Sequence, residues 1–236
     1  MIPIKDDNPT QNKSIIRLFI LLTCLIVFIL QLTSDNNKEL LFYYGFKPDS
    51  LFNPNYSNYT FLPILTIFTS MFMHGGWLHF LSNMLYLWIF ADNVEDVLGK
   101  KRFTFFYIMS GVFAATFQML ADINSSIPMI GASGAIAGVL GAYMYLFPKA
   151  KILVLIPLVI FFFTARLPAI LVIGAWILVQ FINLGLVDQS STNVAWFAHI
   201  GGFLFGIFYC FFFIEKKKMR KANSILPRKK SNPWTD

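Results

Sequence analysis

The chain has 236 residues, 56% of them hydrophobic and only 13% charged, with a mean hydropathy of +0.61. Soluble domains carry about 25% charge, so this composition excludes a soluble enzyme and predicts an integral membrane protein. The net charge of +7 sits in short basic clusters between apolar runs, which signals topology and argues against nucleic acid as a partner.

Residues 1–14 are polar and read as a cytoplasmic N-terminal segment. The apolar run that follows is too long for a signal peptide and lacks a small-residue cleavage site. Apolar runs predict six membrane spans over residues 15–32, 77–91, 103–121, 129–147, 167–187 and 194–214. Cys24 and Cys210 fall inside two of them, so they read as core thiols rather than a disulfide.

Between the first two spans, residues 33–61 form a long polar loop rich in aromatics, including Phe42, Tyr43, Tyr44, Phe46 and Phe52, around Asn53-Pro54-Asn55. Such a loop belongs in the headgroup zone. The stretch 61–73 is too short to span and contains Pro63, so it reads as interfacial or re-entrant. Residues 92–96 read as a polar turn after the second span. Pro148 ends the fourth. The apolar run 152–163 is short and broken by Pro157, and is not counted as a span. The tail from Glu215 is basic and reads as disordered beyond its first turn. The chain thus divides into an N-terminal segment 1–14, a six-span domain 15–214 and a basic cytoplasmic tail 215–236.

With six spans, all of the 19 lysines and arginines except Lys38 and Lys47 fall on one side. The positive-inside rule then places both termini in the cytoplasm. A seventh span at 151–163 would spoil this alternation. The second, fourth and sixth spans all run inward, and each begins with chemistry: His74, His79 and Asn83 on one, Ser133 on the next, His199 on the last. All three histidines of the chain therefore lie in one layer near the outer face. Ionisable residues at membrane depth are functional candidates.

Gly131-Ala132-Ser133-Gly134 opens the fourth span. One reading is helix packing, because small residues such as Gly134 and Gly138 let helices touch. The other is a nucleophile with room beside it for a substrate backbone and an oxyanion. A metal site fits poorly, since His74 and His79 are five apart and no H-E-x-x-H motif or nearby carboxylate accompanies them. A nucleophilic site fits better. His199 can act as base, His79 and Asn83 share a helix face as donors, and Ser133 heads a helix whose first N–H groups are unpaired. The nearest acids, Asp122 and Asp188, sit in loops, so a Ser–His dyad is favoured over a triad. Ala132, Gly134, Ala135, Gly138 and Gly141 on one span face Ala198, Gly201, Gly202 and Gly206 on another, which lets the two helices approach closely.

At these residues the chain resembles the rhomboid family of intramembrane serine proteases over about 60–214. Gly131-Ala132-Ser133-Gly134 is similar to the family's G-x-S-G, and Ala198-His199-Ile200-Gly201-Gly202 to its base-histidine segment. His74-x4-His79-x3-Asn83 resembles the second-helix motif whose second histidine and asparagine help hold the oxyanion. The resemblance implies an all-α six-helix bundle around a water-filled, outward-opening cavity. It also implies cleavage in or beside the membrane segment of a transmembrane protein, without a metal or cofactor. His74, Gly131 and Gly134 take supporting roles. The loop 33–61 matches the half-embedded first loop, and the fifth span a mobile gate. Two departures stand out. Some members place a tyrosine against the base histidine where this chain has Ala137, leaving Trp196, Phe197 or another aromatic to orient the ring. A Trp-Arg pair of the first loop is also missing from 33–61.

The alternative is a catalytically silent relative that binds membrane clients; such proteins lose the serine or the histidine, and both are present. A transporter would want ionisable residues at mid-membrane. Glu95 and Gly99 read as structural, capping and pairing near Lys100, Lys101 and Arg102. Short loops and the lack of a targeting extension predict a plasma or inner cell membrane, with the active site opening to the non-cytoplasmic side.

Overall fold

The computed structural model describes residues 1–53, 62–158, 161–186 and 194–215. Asp188, Pro54-Asn55 and the tail beyond Glu215 lie outside the described residues. The chain is mostly helical. Its elements are β1 (Ile2–Asp6), α1 (Ile15–Thr33), α2 (Asn37–Tyr44), α3 (Thr66–Thr69), α4 (Trp77–Leu98), α5 (Lys100–Ala121), α6 (Ser133–Leu146), β2 (Lys151–Leu158), β3 (Phe161–Pro168), α7 (Ala169–Leu186) and α8 (Trp196–Phe213).

By length and composition α1, α5, α7 and α8 can cross a membrane, and a fifth span forms if Pro63–Phe72 is joined to α4, from which it bends by 79°. That bend fits the re-entrant expectation for 61–73. The fourth expected span is shorter than 129–147. At 14 residues α6 is about 21 Å long, against a hydrocarbon core of about 30 Å. It can be short because protein surrounds it: every residue from 134 to 143 is buried.

α6 and α8 pack backbone to backbone. A Cβ on Gly202 or Gly206 would collide with the carbonyl oxygen of Gly134 or Gly138, and one on Gly141 with the carbonyl of Phe203. Here the glycines remove the side chains that would hold the two helices apart. Phe90, Phe103, Phe106, Leu140 and Tyr143 fill the core around this contact.

Two stretches differ from the sequence reading. Residues 92–96 are not a turn: α4 runs through them to Leu98, and Gly99 separates it from α5. The fold is also not purely helical. The run 152–163 forms no span but an antiparallel hairpin, β2–β3, to which β1 adds a third strand on β2. Ile152 and Val154 of β2 are fully buried against the bundle. A hairpin satisfies its own backbone groups between strands, so Pro157 is tolerated where a helix would break.

The polar start of the chain is fastened across the C-terminal end of α4. Gln11 and Asn12 backbone N–H groups donate to Asp96, Asn93 donates to the Asn8 carbonyl, and Arg166 pairs with Asp7 at 3.0 Å. Glu95 accepts from the Ile16 and Arg17 N–H groups at 3.0 and 2.9 Å, capping α1. Its partner is therefore the N-terminus of α1 rather than the cluster Lys100 to Arg102. Arg17 bridges to Asp92 at 3.1 Å and lies over the Trp88 ring.

Candidate active site

Ser133 is the first residue of α6, so its N–H has no acceptor within the helix. The strand-like stretch before it is tied down from two sides. Met129 exchanges two backbone hydrogen bonds with Phe46, and the Gly131 N–H donates to the Ser70 carbonyl at 2.8 Å. These bonds fix the angle at which the chain enters α6.

His199 sits in the first turn of α8, whose end is capped by Gln118 Oε1 accepting from the Ala198 N–H at 3.3 Å. The glycine contact between α6 and α8 brings the two helix starts together, and Ser133 Oγ lies 2.9 Å from His199 Nε2. That is hydrogen-bond distance between a hydroxyl and an imidazole nitrogen. The other ring nitrogen, Nδ1, lies 2.8 Å from Oε1 of Gln180 on α7.

The α4 residues close the third side. Gly131 has φ of +115°, a conformation open to glycine and strained for any side chain. A Cβ there would also come within 2.6 Å of His79 Nε2 and 3.6 Å of Asn83 Nδ2. The missing side chain thus lets both donors reach the loop just ahead of Ser133. His79 Nδ1 accepts from the Gly75 N–H at 3.4 Å, which leaves the proton on Nε2, facing Gly131. Asn83 is 6% exposed, and its Nδ2 is a buried donor without a hydrogen-bond partner among the described residues. Buried donors are ordinarily satisfied, and of the buried polar atoms left open among the described residues, that of Asn83 belongs to a residue lining the same cavity as Ser133.

A cavity of about 880 Å³ joins these groups; His79, Asn83, Gly131, Ser133, Trp176 and His199 line it. His74 does not line it. It is fully buried, with edge-on contacts to the rings of Phe28, Phe80 and His79. Its backbone N–H and C=O are both paired with the Gln31 side-chain amide of α1, at 3.0 and 2.9 Å. His74 therefore anchors the turn that leads into α4. Gly134 packs against Ala114 of α5 and borders Ala198 of α8, holding the helix rather than facing a reacting group.

Sequence reasoning missed four of these residues: Gln31, Gln118, Trp176 and Gln180. Trp176 answers the departure at Ala137. Its ring centroid is 5.7 Å from that of His199, and Trp196 adds an edge-on contact at 6.2 Å. The signal for Gln180 was an amide inside an otherwise apolar span, one turn beyond a tryptophan.

The geometry is that of an activated hydroxyl beside donors for a developing negative charge. Residues 63–216 match the family model described as Rhomboid domain. The chain is similar to Rhomboid protein 1, mitochondrial, of Saccharomyces cerevisiae, with 32% identity covering 68% of this chain and 46% of that protein. Presenilin-associated rhomboid-like protein, mitochondrial, of Homo sapiens is 32% identical over 59% of this chain and 35% of that protein. Rhomboid protease GluP of Bacillus subtilis is 31% identical over 81% of this chain and 33% of that protein. The chain spans less than half the length of these relatives. The yeast and human names overturn the expected plasma or inner cell membrane. Short loops report how compact a bundle is and carry no address.

Proposed function

The chain belongs to the rhomboid family, and from that premise we propose that it is an intramembrane serine endopeptidase. The observation that carries this reading is the 2.9 Å contact of Ser133 Oγ with His199 Nε2 at a cavity that also receives the unpartnered Asn83 donor. Its membrane domain is residues 15–214, with six crossings: α1, α4, α5, α6, α7 and α8. Residues 1–14 and 215–236 flank it on the side rich in lysine and arginine, and the cavity opens on the opposite face. The location we propose is a mitochondrial membrane, supported by the yeast and mammalian relatives' names.

In the reaction, His199 Nε2 accepts the hydroxyl proton as Ser133 Oγ bonds to the scissile carbonyl carbon. The carbonyl oxygen becomes an oxyanion held by the Ser133 N–H, His79 Nε2–H and Asn83 Nδ2–H. The intermediate collapses as His199 returns the proton to the leaving amine, giving an acyl-enzyme. A water molecule, deprotonated by His199, then frees the acid and regenerates the hydroxyl. No metal or cofactor takes part. The substrate is a transmembrane protein whose membrane helix unwinds near the cavity side to present a carbonyl.

The test is cleavage of a single-pass model substrate by the purified protein in liposomes. Ser133→Ala and His199→Ala should each abolish turnover, a loss of about 10⁴-fold or more, while leaving the fold intact by circular dichroism. Binding without cleavage by the unaltered protein would favour the client-binding alternative instead.

A further inference from the structure

The proposed mechanism needs His199 in one tautomer only, with Nε2 free to accept from Ser133. A dyad leaves open what enforces this. We infer that Gln180 of α7 is the positioning residue for His199, a neutral third member of the site; this inference rests on the protease reading above.

Gln180 is 5% exposed and lies within an apolar span. Its amide has two ends, and their assignment follows from a second contact. Nε2 donates to the Trp176 carbonyl, one turn earlier on the same helix, at 3.0 Å. Oε1 is therefore the end that faces His199 Nδ1 at 2.8 Å. An amide oxygen only accepts, so Nδ1 must carry the proton. The imidazole is then left with an unprotonated Nε2, 2.9 Å from Ser133 Oγ. In the opposite tautomer, Oε1 and Nδ1 would meet as two acceptors, and the serine hydroxyl would lose its base. Inside a protein such a mismatch is costly, because no water compensates for it.

The same helix also supplies the Trp176 ring beside His199, so α7 provides both an aromatic neighbour and the tautomer-setting group of the base. Yet α7 is lightly held: four of its 18 residues are buried, against nine of the 18 in α8. Gln180 is the one buried residue in its second half. Seating of α7 against α8 is thus linked to a competent base, and a displaced α7 carries the orienting group away with it. A carboxylate at this position would fix the tautomer too, but at the cost of a charge in an apolar span. The amide does so without one.

The experiment pairs two variants of the full chain in liposomes with a spectroscopic readout. Gln180→Met keeps length and removes the acceptor. Gln180→Glu keeps an acceptor for Nδ1–H and loses the donor to Trp176. Gln180→Met should lower kcat about 10- to 100-fold, part of the 10²–10⁴ that acid–base catalysis supplies, with KM changed less than twofold. Gln180→Glu should recover most of that loss. Nitrogen-15 NMR of histidine-labelled protein, with His199 assigned by its loss in His199→Ala, should show Nδ1–H in the unaltered chain and a mixture of tautomers in Gln180→Met. The inference is overturned if Gln180→Met keeps the wild-type tautomer, or if Gln180→Glu is as impaired as Gln180→Met. The tautomer does not depend on turnover. If the unaltered protein cleaves nothing, the protease reading fails, while the NMR comparison still decides the role of Gln180.

Discussion

The carboxylates of α4 and the polar groups around Ser133 are used in different ways. Towards the C-terminal end of α4, its carboxylates are matched to donors: Glu95 to the start of α1, Asp92 to Arg17, and Asp96 to the amides of Gln11 and Asn12. Around Ser133, the Asn83 donor has no hydrogen-bond partner among the described residues, and Ser133 heads a helix with its N–H free of the ladder. Paired groups stabilise a fold, whereas groups held unpaired are available to a transition state. The difference separates carboxylates that tie the chain together from polar groups left available beside Ser133 and His199.

That contrast predicts which substitutions reduce rate and which reduce stability. The largest effect beyond the dyad itself belongs to Asn83→Ala, expected to lower kcat by about 10²–10³ with little change in unfolding temperature. Steady-state cleavage in liposomes checks it; a loss of stability without a loss of kcat would place Asn83 with the architectural groups. Gly131→Ala comes next. Its Cβ would press on His79 Nε2 and adopt a strained φ, so kcat should fall by about tenfold or more, given a conformational penalty of about 1–2 kcal/mol. A reaction-rate assay with a serine-directed phosphonate would show whether the loss lies in the acylation step.

At the C-terminal end of α4 and on the sheet the expected effects are on stability. Glu95→Gln replaces two charge-assisted bonds to backbone amides and should cost about 1–2 kcal/mol, seen as faster hydrogen exchange at residues 15–18 with kcat preserved. The smallest effect concerns Asp6 on β1, which accepts from the Tyr143 hydroxyl at 2.6 Å. Burial pushes its carboxyl pKa up to about 7, reinforced by Asp92 and opposed by the Tyr143 hydrogen bond. Because the folded state holds this proton more tightly than the unfolded chain, stability falls as pH rises from about 4 to 7, and the penalty stays constant above. Asp6→Asn should therefore slow exchange of the β1 and β2 amides at pH 8, with little change near pH 4. An unaltered pH dependence in that variant would assign the effect to another group.

Much of the site was legible in the sequence because its reacting groups are rare in such a chain. A serine among glycines, three histidines and one asparagine at matching helix starts pointed to Ser133, His199, His79 and Asn83 before any coordinates. Trp176 and Gln180 were not legible. Their importance depends on the rotation of α7 against α8, and a single apolar helix carries little periodicity to reveal it. The hairpin was visible only as a run that could not be a span. Nothing in Ile2–Asp6 by itself marks a strand, because its partner lies about 150 residues away on β2.

The sequence by itself determined that this is a membrane protein, where its apolar segments begin and end, and which residues carry reactive groups. Those properties follow from local composition and from the cost of placing polar groups in lipid. Only the tertiary structure decided that Ser133 and His199 meet, that Gly131 opens space for His79 and Asn83, that Gln180 contacts the His199 ring, and that residues 2–6 add a strand to the hairpin. Each of these depends on contacts between segments distant in the chain, where the fit of backbones and side chains selects one partner among many.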